Sequence, residues 1–214
     1  MAMPQDKPSV FVYTITCDSG FAPNPFHGVC TLATCKPDIR KAAGGDFVIG
    51  KAKAPNGTRA VFVMEVNKIM TFDEYWHDPD FECKRPRCDG NPMYACGDNI
   101  YHRAADGSWV QACSFHACND IARDTEKTDH VLVSRNFTYY GAEGPNVPEL
   151  HDKPLNPGIR KMRCHFTDRD RRELEAWIGS LNGQGRMGMP SDQRKQGAHN
   201  RCGSVGPGCG CLKC

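Results

Sequence analysis

The sequence predicts an α+β domain: a small, mainly antiparallel β-barrel with short flanking helices and a flexible Cys/Gly-rich C-terminal tail. Three observations predict it. Short strand signals recur between residues 9 and 141 without regular strand–helix alternation, which argues against a parallel α/β sheet. The hydrophobic fraction is 39%, with 21 Gly and 15 Pro, a loop-rich balance suited to strands joined by turns. Only one segment, 167–181, keeps a helical period over several turns. At 214 residues the chain is long enough to bury roughly 70% of its unfolded surface and needs no staples to fold.

The elements follow in order. "SVFVYTITC", 9–17, is rich in β-branched and aromatic residues and reads as a strand. The loop "FAPNPFHGVCTLATCKPDIR", 21–40, comes next. "KPDIRKAAGG" reads as a short helix, with Pro37 in the first turn, where its missing N–H costs nothing, and Gly44–Gly45 at its end. "DFVIG" is a second strand. "RAVFVMEV", 59–66, is almost continuously apolar and so is expected to be buried on both faces.

"TFDEYW" opens with a capping box, Thr71 with Glu74 three residues on, and starts a short helix carrying Tyr75 and Trp76. "NIYHR" and "SWVQAC" flank the turn "ADG" as short strands. "TDHVLVSRNFTYYG", 128–141, reads as two strands or one bent strand, and 142–160 is proline-rich and irregular. In "TDRDRRELEAWIGSL" Thr167 is the cap, and Leu174, Trp177, Ile178 and Leu181 follow the i, i+3, i+4, i+7 rule. The domain is therefore expected to span 1–181. Residues 182–214 have little apolar content besides cysteine and read as a basic tail, disordered unless something ties it down.

No apolar stretch approaches the ~20 residues of a membrane helix. The opening "MAMPQDKPSV" lacks signal-peptide architecture. A cytoplasmic protein with reduced thiols and no membrane partner is expected, although 13 cysteines is a large number there. Residues 1–152 carry 15 Lys and Arg against 20 Asp and Glu, whereas 153–214 carry 12 against 5. A basic end on an acidic body can attract phosphate backbones. No G-x-G-x-x-G follows a strand, and no P-loop pattern occurs. The common nicotinamide, flavin and P-loop nucleotide sites are therefore not expected.

The phrases "DSGFAPNPFHGVCTLATCKPDIR", "GGDFVIG", "TFDEYWHDPDF", "KRP", "GDNIYHR", "NDIARDT" and "DHVLVSRNFTYYGAEGP" span about residues 9–165 in order. Together they resemble the second family of nucleotide modification-associated domains. That resemblance implies a setting among phage and bacterial genes that alter DNA bases or defend against such alteration. "GGDFVIG" is also similar to a phrase on a barrel strand of the PUA-like group, which includes the ASCH, EVE and YTH-type domains. This implies a small barrel with a base or nucleotide held beside it.

The 21–40 loop admits several chemistries. As a cradle for base or phosphate it offers Asn24, Thr31, Thr34, Lys36 and Arg40, with free N–H groups at the expected helix start. As a nucleophile, Cys35 precedes that helix beside Lys36, which favours a thiolate; Cys30 is the other choice. The spacing of Cys17, His27, Cys30 and Cys35 is not a standard zinc pattern. A proline-stiffened loop that only packs Phe21 and Phe26 is the bland alternative. "GDNIYHR" adds Asp98, Asn99, Tyr101 and His102, a cluster that can hold sugar and phosphate or an acid–base pair. The candidates for catalysis are Asp18, Cys35 and His102.

"CSFHACND" brings His116 and Asp120, and Cys113 and Cys118 there offer a further metal alternative. In the tail, Cys202, Cys209, Cys211 and Cys214 crowd together, and the last two have zinc-pair spacing. Zinc there competes with an unstructured thiol tail. Residues 18–36 and 98–102 are expected to face one cleft that recognises or modifies a nucleobase or nucleotide, with DNA or a nucleotide as partner. The alternative is a small thiol- or metal-dependent enzyme acting on a free nucleotide or metabolite.

Overall fold

Strand β1 (Val10–Thr14) pairs with β3 (Phe47–Lys51) in parallel, Val10 opposite Phe47. A parallel pair needs a long crossover, and here the crossover is the proline-rich stretch 15–46. In this computed structural model the described residues are 8–53, 55–87, 91–114, 116, 120–151 and 164–192. The crossover does not lie idle on one face of the sheet. It contributes β2 (Cys30–Leu32), which joins a second sheet, and a 3-10 turn at Ile39–Lys41.

The first sheet continues through β4 (Ala60–Glu65). Two later strands complete it, β9 (Phe137–Tyr139) and β10 (Gly185–Arg186), in the order β1-β3-β4-β9-β10. β4 is buried along nearly its whole length, as its apolar run predicts. Val10, Val12, Ile49 and Val63 pack against Leu174 of the helix Asp168–Ser180, capped by Thr167 as expected. Tyr13, Val48, Phe62, Met64 and Tyr139 build a second cluster with Leu32, Ile39 and Leu132.

The second sheet has the order β2-β8-β5, with β5 (Lys68–Thr71) and β8 (His130–Ser134). β5 runs into α1 (Phe72–His77), whose N-terminus carries the capping box expected of Thr71 and Glu74. A hairpin of β6 (Tyr101–Arg103) and β7 (Trp109–Gln111) stands apart as a third unit. Short helices α2 (Pro92–Ala95) and α3 (Ile121–Thr125) precede and follow it, and Asp168–Ser180 is α4. The segment 128–141 is two strands in different sheets. Between them, Asn67 Oδ1 accepts the N–H groups of Arg135 (2.7 Å) and Asn136 (3.0 Å) and fixes the turn.

The α+β expectation holds, and the strand pairs are mostly antiparallel. The expected barrel does not form. Among the described residues no sheet closes on itself, because β1 and β10 are opposite ends of one sheet and β8 and β9 diverge into two. The helix expected at 36–43 shrinks to the three-residue 3-10 turn, since Cys35 and Lys36 both hold positive φ, 56° and 45°. An α-helix cannot start through such residues.

Residues 182–192 fall in the expected tail, yet they pack on the body. β10 pairs in parallel with β9. Gly188 approaches so closely that a Cβ there would lie 2.0 Å from the Tyr140 carbonyl oxygen. The anchor is Asp18, which is 5% exposed. Its carboxylate accepts the Tyr139 hydroxyl and, on Oδ2, the Ser191 N–H (2.9 Å) and Oγ (3.1 Å). The backbone N–H groups of Asp18 and Asp192 are each bonded to the other residue, at 3.0 and 2.8 Å. Asp18→Ala would strand the buried Tyr139 hydroxyl, at a cost of about 1–3 kcal/mol. Amide exchange at Met187, Gly188 and Asp192 should then accelerate more than in β3; unchanged protection there would refute the anchor.

Candidate functional site

The two segments expected to share a cleft do meet, but in the interior. Thr31, Asp98 and Tyr101 have no exposed surface, and Asn24 and Asn99 are each 1% exposed. Thr31 Oγ1 donates to Asp98 Oδ2 at 2.7 Å, and the Tyr75 hydroxyl donates to Asp98 Oδ1 at 2.8 Å. At the centre is Lys84, which sequence reasoning overlooked. Its Nζ donates to the Asn24 backbone oxygen (3.1 Å), Asn24 Oδ1 (2.8 Å) and the Val29 oxygen (2.7 Å). Burial drives this amine down to about 8 and raises the Asp98 carboxyl. Asn24 Nδ2 is spent on the Cys96 oxygen, and Asn99 Nδ2 on the oxygens of Tyr75 and Phe81.

These side chains hold the crossover loop against residues 81–84 and 96–99, and they are buried. Thr34 is equally buried. Arg40 is wholly buried over the Phe72 ring, and its guanidinium donates to the backbone oxygens of Cys35 (3.0 Å), His130 (2.7 Å) and Asp124. The expected cradle is thus built differently: Arg40 and the Thr31 hydroxyl are bonded inside, the Thr34 hydroxyl is buried without a partner among the described residues, and the expected helix start is absent. Lys36, the cradle's other cation, is half-buried, with its Nζ 5.3 Å from the centre of the Tyr13 ring.

His102 lies on the opposite side of β6 from Tyr101, stacked on Trp76 at 4.1 Å. Burial lowers its pKa. Asp18 is the structural anchor already described. Cys30 is sealed in the core, and burial pushes its thiol up to about 12. Of these candidates, Cys35 is the one that lies at hydrogen-bond distance from a described histidine–carboxylate pair.

Cys35 is half-buried on the turn between β2 and Ile39. Its Sγ lies 3.1 Å from His116 Nε2, and His116 Nδ1 lies 2.9 Å from Asp124 Oδ2. Thiol, imidazole and carboxylate thus follow one another at hydrogen-bond distance, a geometry shared with Cys-His-Asp triads. The carboxylate is also tied down from three other directions. Its Oδ1 accepts the Cys35 N–H (3.1 Å) and Arg123 Nε (3.2 Å), and its Oδ2 accepts the Tyr101 hydroxyl (3.0 Å). Phe21 packs edge-on against the imidazole at 4.7 Å. The positive φ of Cys35, 56°, is a strained backbone held by this surrounding structure.

Burial disfavours the imidazolium, but hydrogen bonds to Asp124 and Cys35, with their charges, outweigh it and raise His116 to about 9. Burial pushes Asp124 up, yet the bond and charge of His116, with Arg123, hold it at about 2. At neutral pH the histidine is therefore a cation that donates both ring N–H groups.

His116 and Asp120 stand out in "CSFHACND", but Asp124 and Arg123 escape sequence reasoning. Nothing in a single sequence pairs residue 35 with residues 116 and 124. The density of polar residues in "NDIARDT" is the one signal that could have pointed there.

Among the described residues no group of three His, Cys, Asp or Glu side chains is arranged to hold a metal ion, and none of the seven described cysteines is in a disulfide. Cys118 and the proposed zinc ligands Cys202, Cys209, Cys211 and Cys214 lie outside the described residues. No described helix is long and apolar enough to cross a membrane. Of the basic C-terminal part, Arg171 is committed to Glu175 at 3.1 Å. A cavity of about 420 Å³ beside the start of α4 is lined by Ser9, Cys164, His165 and Arg171 among others, and shares no residue with the Cys35 cluster.

Comparison with curated proteins and with solved structures gives no match. The family described as nucleotide modification associated domain 2 matches residues 7–197, which include the crossover loop, the Cys35 cluster and β10. The resemblance carried by the sequence phrases is thus confirmed over nine-tenths of the chain, and the chain belongs to the nucleotide modification associated domain 2 family.

Proposed function

We propose that the chain is a thiol-dependent enzyme that modifies a nucleotide or nucleobase through a covalent intermediate on Cys35. The observation that carries this reading is the Cys35–His116–Asp124 alignment at 3.1 and 2.9 Å; the family supplies the nucleotide. Pure recognition of a base through Asn24, Thr31, Asp98 and Asn99 has less support, because all four are buried and Asn24, Thr31 and Asp98 are bonded internally. A place among phage or bacterial DNA-modifying genes remains part of the proposal, resting on the family theme.

The chemistry follows from the residues. The Sγ electron pair attacks an electrophilic carbon of the substrate and forms a C–S bond. The leaving group departs with its own bonding pair and takes the proton from His116 Nε2. The neutral imidazole then removes a proton from an incoming nucleophile, which displaces the thiolate and frees the product. Asp124 keeps the ring oriented throughout, and Tyr101 and Arg123 keep Asp124 in place.

Reactivity is the first check. Cys35 should be alkylated by iodoacetamide about tenfold faster than the exposed Cys17 at pH 7. That advantage should vanish as His116 loses its proton through about pH 9, and His116→Asn should abolish it at pH 7. Peptide mass spectrometry reads both rates in one sample, and equal rates for the two thiols would sink the proposal. Incubation with the four common deoxynucleoside monophosphates or with duplex DNA, quenched in acid, should leave an adduct on Cys35 that Cys35→Ser lacks.

The ion pair also makes stability depend on pH. Because the folded-state value of His116 is raised, its contribution is complete below the free-imidazole value of about 6.5 and is lost as pH rises through about 9. Urea unfolding should show stability falling over that window by up to about 3 kcal/mol. A His116→Asn chain showing the same fall would contradict the assignment.

A further inference from the structure

Arg123 touches His116 beside Cys35 and still reaches solvent: 51% of its side chain is exposed. It is held rigidly. Nε donates to Asp124 Oδ1 at 3.2 Å, and Nη1 lies 2.8 Å from Asp120 Oδ1. Nη2 lies 3.2 and 3.4 Å from the two ring nitrogens of His116. These contacts hold one edge of the guanidinium and leave half of the side chain open to solvent beside the thiol. A planar guanidinium fixed by two carboxylates, with an open edge, is preorganised for a carboxylate or phosphate oxygen.

We propose that Arg123 is the anion-binding residue of this site, and that the substrate carries a phosphate or carboxylate oxygen within reach of the carbon that Cys35 attacks. This rests on the thiol-enzyme reading above and narrows its substrate to anionic molecules. Arg40, the other guanidinium bonded to the Cys35 turn, is buried on backbone oxygens and offers no outer edge. Asp120 and Asp124 fix Arg123 in place without filling its outer face. An arriving anion gains a charge-assisted bond and loses little side-chain freedom in the protein, because the arginine is already ordered.

A pair of alkylating agents of nearly equal shape tests this on the full chain. Iodoacetate is an anion and iodoacetamide is neutral, and both react at Cys35 Sγ. The ratio of their rate constants cancels any general change in thiol reactivity or folding. Arg123→Gln should lower the iodoacetate-to-iodoacetamide ratio about threefold or more, while Arg123→Lys, which keeps the charge but loses the fork, should retain part of it. Inorganic phosphate at millimolar concentration should slow iodoacetate more than iodoacetamide in the wild-type chain only. A ratio unchanged in Arg123→Gln, with Cys35 still the fastest thiol, would overturn the anion site and leave the thiol enzyme standing. A Cys35 no faster than Cys17 with either reagent would overturn the thiol enzyme itself.

Discussion

The Asp124 carboxylate is the point through which the site is assembled. Its two oxygens join four separate pieces of chain: the Cys35 turn through a backbone N–H, β6 through Tyr101, the segment before α3 through His116, and α3 itself through Arg123. A carboxylate can accept from all of these at once because its lone pairs point in several directions. Its cost of burial is met by one imidazolium and one guanidinium. Remove it, and the strained Cys35 backbone, the histidine ring and the arginine each lose the same partner. Such a group rewards completeness, since a half-satisfied buried network is worse than none.

A second buried centre does quieter work. Lys84 has no carboxylate within ion-pair distance among the described residues; three oxygens of the crossover loop satisfy its three N–H groups. It acts as an internal clamp that holds Asn24 and Val29 in place, and so fixes the start of β2 five residues before Cys35. The two centres share the crossover between β1 and β3. One secures the loop's entry, the other its exit, and the thiol stands at the exit.

Local signals were legible in the sequence because they depend on residues near one another. The capping box at Thr71, the Thr167 cap, the buried run of β4 and the β6–β7 hairpin all follow from spacings of two to four residues. The sequence misleads where distance along the chain decides the outcome, as with the barrel. The polarity of Asn24, Thr31, Asp98 and Asn99 looked like a surface for a ligand, yet these side chains are buried: Asn24 holds a lysine 60 residues away, Thr31 bonds Asp98, and Asn99 bonds backbone oxygens. Cys35 was visible as a nucleophile, but its histidine lies 81 residues away and its carboxylate 89. Residues 182–192 looked like tail because their grip is hydrogen bonding to Asp18 and Tyr139 rather than apolar burial.

The charges around the thiol have a consequence for the proposed reaction. Arg40, His116 and Arg123 bring three positive charges; Asp120 and Asp124 bring two negative ones. The cluster reaches electroneutrality when Cys35 is a thiolate. Formation of the C–S bond consumes that negative charge, and in the same step His116 gives its proton to the leaving group. The sum over these six groups is unchanged before and after, and breakdown of the intermediate returns both charges together. In the proposed reaction the thiol and the imidazole gain and lose charge as a pair, so neither is left as a lone charge in the partly buried cluster.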